Sequence, residues 1–279
     1  MVTEGEISSR RYALLLAVND SEYVKKAYGG YYNVYVEAFG EEGDTWDLFR
    51  VYDGDFPDFS DLNKYHGFVI TGSPSDAYGN DYWILKLCFM LQTLDAMQKK
   101  VLGICFGHQV LCRALGGRVC KSNTGWDVGF RQVHFMKDLT RSYRYLAEHE
   151  MMTESLSIIE VHQDEVYEVP LGAEVIASSD KTRVEMFAIS DHILGIQGHP
   201  EYSRDILFNL IGRLQNMNVI EGAIGYSSGI YVQIDTGSDV PWMPAVPVRT
   251  TSSLTLSSMY GDGRGTSGYD AFGCVLRDL

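Results

Sequence analysis

Cysteine is scarce in this sequence: five in 279 residues, an odd number, with no C-x-x-C pair. That leaves no disulfide framework and no thiolate zinc site to read. Long apolar runs are missing too. None approaches the roughly 18 residues a membrane span needs, and the opening MVTEGEISSRR has no apolar core of a secretion signal. The default expectation is a cytoplasmic (cytosolic) protein. Basic charge is the third shortage: 23 Lys and Arg stand against 37 Asp and Glu, a net charge of −14. With basic residues gathered only in KK and RR pairs, a surface for nucleic acid or an anionic membrane is not expected.

What is present is an ordinary globular composition, 45% apolar, in a chain long enough for one large α/β domain or one domain with an appendage. RYALLLAV (11–18), WDLFRVY and HGFVITG read as buried strands. From Trp83, the residues Ile84, Leu87, Cys88, Leu91 and Leu94 recur at helical spacing, and a strand follows over Val101 to Ile104. Val110, Leu111, Ala114 and Leu115 make a second helical stripe, stopped by Gly116 and Gly117. Strand alternating with helix predicts a parallel sheet. RQVHFM, SIIEVHQDEV, AEVIASS, VEMFAI and ILGIQGHP are short strand-like runs that would extend it with antiparallel strands, and a helix returns at Ser203. The expected organisation is therefore a domain over 11–220 and a Gly/Ser/Thr-rich tail over 221–279, whose composition suits poor order.

Cys105 falls where a strand ends and a helix begins, between Gly103 and Gly107. A sharp strand-to-helix turn pushes such a side chain into a cleft, and neighbours without a Cβ let the chain bend. At a helix N-terminus the thiolate, the nucleophilic form, is favoured. A thiolate hydrolase needs a proton carrier. In GIQGHPEYS, Glu201 lies two positions after His199, so in an extended segment its carboxylate reaches one ring nitrogen and leaves the other for the thiol. A metal reading of H-x-E is weaker, since no second ligand cluster accompanies it. For an oxyanion hole, the loop VITGSPSDAYG offers the N–H of Gly72, and the residue after the nucleophile offers that of Phe106. His108 sits a helical turn away and suits a local structural role.

In order, the strand then GSP, the elbow GICFGHQ, and GHPEY resemble the class I glutamine amidotransferases over Arg11 to Asn218. YVKKAYGGYYNVYVEAFGEEGDTWDLFRV and HQDEV bring the sequence nearest to the plant γ-glutamyl peptidases in that superfamily, which stand alone and act on glutathione conjugates. The resemblance implies a three-layer α/β sandwich with a mostly parallel central sheet, flavodoxin-like in its core, and an antiparallel extension. It implies Cys105 as nucleophile, His199 as base then acid, and Glu201 as its orienting partner. It further implies that Gln109, the backbone at Gln163 and Asp164 hold the α-amino and α-carboxylate ends of a glutamyl group. No metal or organic cofactor is needed, and no obligatory synthase partner is expected. A glutaminase subunit feeding ammonia to a separate synthase, or a non-catalytic member of the superfamily, are the alternatives. DGDFPDFSDLNKY and DAYGNDYW are expected to rim the site, since both flank strand ends.

Overall fold

A computed structural model of the chain describes residues 10–136 and 155–220. The tail expected over 221–279 lies outside the described residues. Eleven strands are described: β1 (Arg11–Leu16), β2 (Thr45–Arg50), β3 (Gly67–Ile70), β4 (Lys100–Ile104), β5 (Arg118–Lys121), β6 (Asp127–Phe135), β7 (Ser155–His162), β8 (Asp164–Glu168), β9 (Glu174–Ser178), β10 (Met186–Ile189) and β11 (Ile193–Ile196). Five helices accompany them: α1 (Glu22–Tyr28), α2 (Tyr31–Phe39), α3 (Tyr82–Ala96), α4 (Phe106–Ala114) and α5 (Arg204–Asn216).

Nine strands form one sheet in the order β2-β1-β3-β4-β11-β10-β9-β6-β7, and β5 with β8 form a separate antiparallel pair. From β2 to β11 the pairing is parallel, and from β11 to β7 it is antiparallel. The parallel strands carry apolar residues on both faces because helices cover both. On β1, Tyr12 and Leu14 pack with Tyr35 and Phe39 of α2, while Ala13 and Leu15 pack on the other side with Leu87 and Leu91 of α3 and Leu111 of α4. α5 lies over the extension, with Leu207 and Ile211 against Val128 and Ile159. The three-layer α/β sandwich with a parallel core and an antiparallel extension is the architecture expected above.

Of the two helices after β1, α2 buries Tyr31, Val34, Tyr35, Ala38 and Phe39 at helical spacing, whereas α1 carries little periodic signal. α1 has one buried residue, Val24, and is defined by its ends: the Ser21 hydroxyl accepts from the Val24 N–H at 3.1 Å, and Gly29 closes it at φ 80°. The strand-like WDLFRVY is a strand only to Arg50, and Val51–Asp53 curl into a 3-10 turn. SIIEVHQDEV is two strands, broken at Gln163.

The glycines beside Cys105 serve a different purpose from the one the turn suggests. A Cβ on Gly107 would collide with the carbonyl of Ile70 on β3, and one on Gly103 would sit 2.5 Å from the Gly107 carbonyl and from Leu111. The glycines let α4 lie directly on the sheet, and the strained backbone belongs to Cys105 itself. Gly107→Ala is therefore expected to destabilise the fold by about 1–3 kcal/mol or more, because the obstacle is backbone rather than a movable side chain. Denaturant unfolding of the variant beside the parent checks this, and an unchanged midpoint would refute it.

Candidate active site

β4 ends at Ile104 and α4 begins at Phe106, so Cys105 alone makes the joint. Its φ of 51° and ψ of −102° lie outside the regions L-residues favour, a strain on the order of 1–3 kcal/mol. Two backbone hydrogen bonds hold it there: its N–H donates to the Ile196 carbonyl at 2.8 Å, and its carbonyl accepts from Gln109 N–H at 3.0 Å. The free N–H groups of the first turn of α4, Phe106 first among them, begin beside the residue that carries the sulfur and present positive potential there.

His199 arrives from the neighbouring strand. Just past β11 its N–H donates to the Ile159 carbonyl on β7 at 2.7 Å, an isolated bridge that fixes its height. The segment carrying Glu201 is a turn, closed by the Tyr202 N–H on the His199 carbonyl at 3.4 Å, rather than the extended stretch expected. Pro200 has no N–H with which to continue a ladder. The predicted contact forms all the same, with His199 Nδ1 2.8 Å from Glu201 Oε1. Tyr202 stacks flat on the imidazole, centroids 4.0 Å apart. Nε2 is left on the side of Cys105, whose sulfur is near enough to act on the ring electrostatically. Burial by itself would discharge the imidazole, but the Glu201 carboxylate and the Cys105 sulfur outweigh it and raise His199 to about 10.

Gly72 packs against this pair. A Cβ there would stand 2.9 Å from His199 Cε1 and 3.7 Å from both His199 Nε2 and Cys105 Cβ. Its N–H, expected as an oxyanion donor, donates to the Tyr35 hydroxyl at 3.2 Å. In this arrangement Phe106 has its N–H ready and Gly72 has a partner to exchange. Tyr35 sits inside helix α2 among apolar neighbours, and no local pattern distinguishes it from a core aromatic.

Gln109, Gln163 and Asp164 are brought together. The Gln109 side-chain amide donates to the Asp164 carbonyl at 2.8 Å and to Gln197 Oε1 at 3.1 Å. His162 Nδ1 approaches the same Asp164 carbonyl at 2.9 Å. The Gln163 carbonyl is engaged by the Ser122 N–H at 2.8 Å. The half-buried Asp164 carboxyl is raised by burial and by Asp76, and its Oδ1 accepts a hydrogen bond from Tyr78 at 3.4 Å. So DAYGNDYW does reach the site through Tyr78. DGDFPDFSDLNKY ends away from it: by Tyr65 the chain has run down to the opposite end of the sheet, where Lys99 donates to the Tyr65 carbonyl at 3.1 Å.

His108 is fully buried against Phe187, and burial lowers it to about 3, which suits packing rather than proton transfer. Among the described residues no group of three His, Cys, Asp or Glu is arranged to hold a metal ion. Sequence reasoning passed over His162 and Gln197, although each lies within two positions of a residue it singled out. The available signal was spacing: both are polar residues in otherwise apolar strand text.

The family described as "Glutamine amidotransferase class-I" matches residues 24–206. The chain is 54% identical over 212 residues to "Gamma-glutamyl peptidase 5" of Arabidopsis thaliana, covering 76% of this chain and 84% of that protein. "Gamma-glutamyl peptidase 3" of the same plant is also 54% identical, covering 76% and 85%. The crystal structure of a glutamine amidotransferase from Thermotoga maritima superposes with a TM-score of 0.58 over 75% of this chain and 83% of that one; its 21% identity speaks for the fold alone. With that family match over 24–206 and relatives at 54% identity, the chain belongs to the class I glutamine amidotransferase family.

Proposed function

We propose that this protein is a thiol-dependent hydrolase that cleaves the γ-glutamyl amide bond of glutathione conjugates and releases glutamate. The observation that carries this reading is the Cys105–His199–Glu201 line: a nucleophile on a strained turn, an imidazole against it, and a carboxylate 2.8 Å behind the imidazole. It is supported by relatives at 54% identity named as γ-glutamyl peptidases.

In the proposed reaction the Cys105 sulfur attacks the γ-carbonyl carbon. The electron pair of the carbonyl moves to oxygen, which meets the Phe106 N–H; the Gly72 N–H joins by exchanging the Tyr35 hydroxyl for the oxyanion. The carbonyl re-forms, the C–N bond breaks, and His199 Nε2 gives its proton to the departing amine. A γ-glutamyl thioester remains on Cys105. Water then gives a proton to His199 as it attacks the thioester, glutamate leaves, and the sulfur is restored. Throughout, Glu201 holds the ring and balances its charge. Gln109, the backbone at Gln163 and Asp164 would receive the α-amino and α-carboxylate ends, the Asp164 carboxyl matching an ammonium. The scheme requires no synthase subunit and no cofactor.

Purified protein and Cys105→Ala are to be incubated separately with glutamine and with a glutathione S-conjugate, and the products followed by mass spectrometry. The parent is expected to release glutamate and the Cys-Gly conjugate, and the variant to lose this by a factor on the order of 10⁴ or more. Ammonia from glutamine with the conjugate untouched would replace this reading with that of a glutaminase subunit. Turnover of neither substrate would replace it with a non-catalytic one.

The charge on His199 makes a second prediction, in stability. Its folded value of about 10 lies above the ordinary 6.5, so its contribution is full below pH 6.5 and is lost as pH rises through about 10. Glu201→Gln removes most of the cause. The gap in melting temperature between parent and variant is therefore expected to narrow steadily from pH 6.5 to pH 10, and a gap that widens would contradict a charged His199.

A further inference from the structure

A second group of ionisable side chains lies buried beside the triad: Asp127 on β6, Glu160 and His162 on β7, and Glu185 just before β10, exposed by 1%, 0%, 5% and 1%. The reaction proposed above uses none of them. Glu160 is their hub. Its Oε1 lies against Gly198, where any Cβ would collide with it, so it touches the residue next to His199. Its Oε2 lies 3.4 Å from Nε2 of His162.

The hydrogen inventory of that contact leaves two arrangements, an imidazolium against a carboxylate or a neutral ring against a carboxylic acid, and the burial of both groups favours the uncharged pair. The Asp164 carbonyl only accepts, so His162 Nδ1, 2.9 Å away, carries a hydrogen and donates it there. Nε2 of the neutral ring is then a bare acceptor. It faces a carboxyl oxygen, and neither atom has another hydrogen-bond partner among the described residues. Two bare acceptors in a buried site repel, whereas one proton on the carboxyl joins them. We propose that Glu160 is a positioning residue for the hydrolysis, its carboxylic acid donating a hydrogen bond to His162 Nε2 and so bracing the Gln163–Asp164 turn against the segment that carries His199. The functional half of this inference rests on the γ-glutamyl reading.

The surroundings favour the acid form. Glu160 faces Glu185, Asp127, the Cys105 sulfur and the His162 ring. Of the nearby cations, Arg131 pairs with Asp127 at 2.6 Å and Lys181 donates to the Trp126 carbonyl at 2.5 Å. Burial, then Glu185, Asp127 and Cys105, push Glu160 well above the ordinary carboxyl range, while burial lowers His162 to about 4 and keeps its ring neutral. Glu185, raised by burial to about 7, is the rival acceptor: once ionised, it draws the Glu160 proton toward itself. The brace matters because the Asp164 carbonyl also accepts from Gln109, which belongs to the helix behind Cys105. Turn and nucleophile helix thus meet at one carbonyl, and the same Gln109 amide reaches Gln197, two residues before His199, at 3.1 Å.

Glu160→Gln keeps the shape and a donor for His162 but cannot ionise. With a glutathione S-conjugate as substrate, its KM is expected within about threefold of the parent's at pH 6 and flat to pH 8.5, where the parent's climbs as Glu185 ionises. Glu160→Leu is expected to raise KM about tenfold at every pH with a smaller change in kcat, the cost of one lost buried hydrogen bond. A Gln variant as impaired as the Leu variant, or one that keeps the parent's rise in KM, would overturn the proposal. A second measurement needs no substrate. Infrared difference spectra of the whole chain carrying 13C-labelled glutamate, parent minus Glu160→Gln at pH 6.5, are expected to show a protonated-carboxyl stretch. If it is present while no γ-glutamyl compound is turned over, the peptidase reading falls and the protonated brace stands; if it is absent, the brace falls whatever the kinetics.

Discussion

Everything at the active centre depends on how closely α4 approaches the sheet. The helix can lie on β3 and β4 only because Gly103 and Gly107 present no Cβ to the backbone across from them. That approach leaves a single residue to turn the chain from strand to helix, and the residue is Cys105, at φ 51°. The strain is offset by its surroundings: Val110 and Leu111 of α4 and Val101 of β4 are wholly buried, and burying an aliphatic side chain contributes about 1.5–3 kcal/mol. A loop could not hold a sulfur in so unfavourable a backbone conformation; a packed joint between two core elements can.

The site sits where the sheet changes character. β4 and β11 are parallel neighbours, and beyond β11 the strands run antiparallel. The sulfur comes from the end of β4 and the imidazole from the end of β11, so one ladder sets their spacing. The antiparallel part brings in β7, which fixes His199 through the Ile159 carbonyl and carries Glu160 and His162 to the back of the site. Parallel strands alone would supply an edge for ligands; the antiparallel extension supplies the polar support behind it.

The charges are arranged by burial as much as by pairing. His199 is raised against its burial by the Glu201 carboxylate and the Cys105 sulfur, whereas His108, buried among apolar groups, is lowered to about 3, and His162 to about 4. Three histidines in one domain thus differ through their surroundings, with no difference in residue type. The same holds for carboxyls, since Glu160 faces anions and a bare nitrogen while Glu201 faces an imidazole.

From β3 through α5 most of the order of strands and helices was legible in the sequence, because apolar period and glycine stops are local properties that burial on both faces of a sheet makes strong; the short, half-exposed β5 was not read, and β7 and β8 read as one run. The place of Cys105 at the elbow and the contact of His199 with Glu201 were legible too, although that contact forms across a turn and not along the extended stretch the spacing suggested. α1 was not legible as a helix, since it buries a single residue and depends on its caps, whereas the spacing of Tyr31, Val34, Tyr35, Ala38 and Phe39 was a signal for α2 that went unused. The Gly72 N–H illustrates the limit. Its place in the loop could be read, but its present partner is the Tyr35 hydroxyl, 37 positions away in the chain. Glu160 reads as one more residue on a strand, and only the tertiary structure sets it against Gly198, His162 and Glu185. The sequence by itself determined most of the elements, the elbow and the grouping of Cys105 with His199 and Glu201; the fold alone decided the surroundings of the buried ionisable groups, because those depend on the charges and acceptors that distant strands bring within a few ångströms.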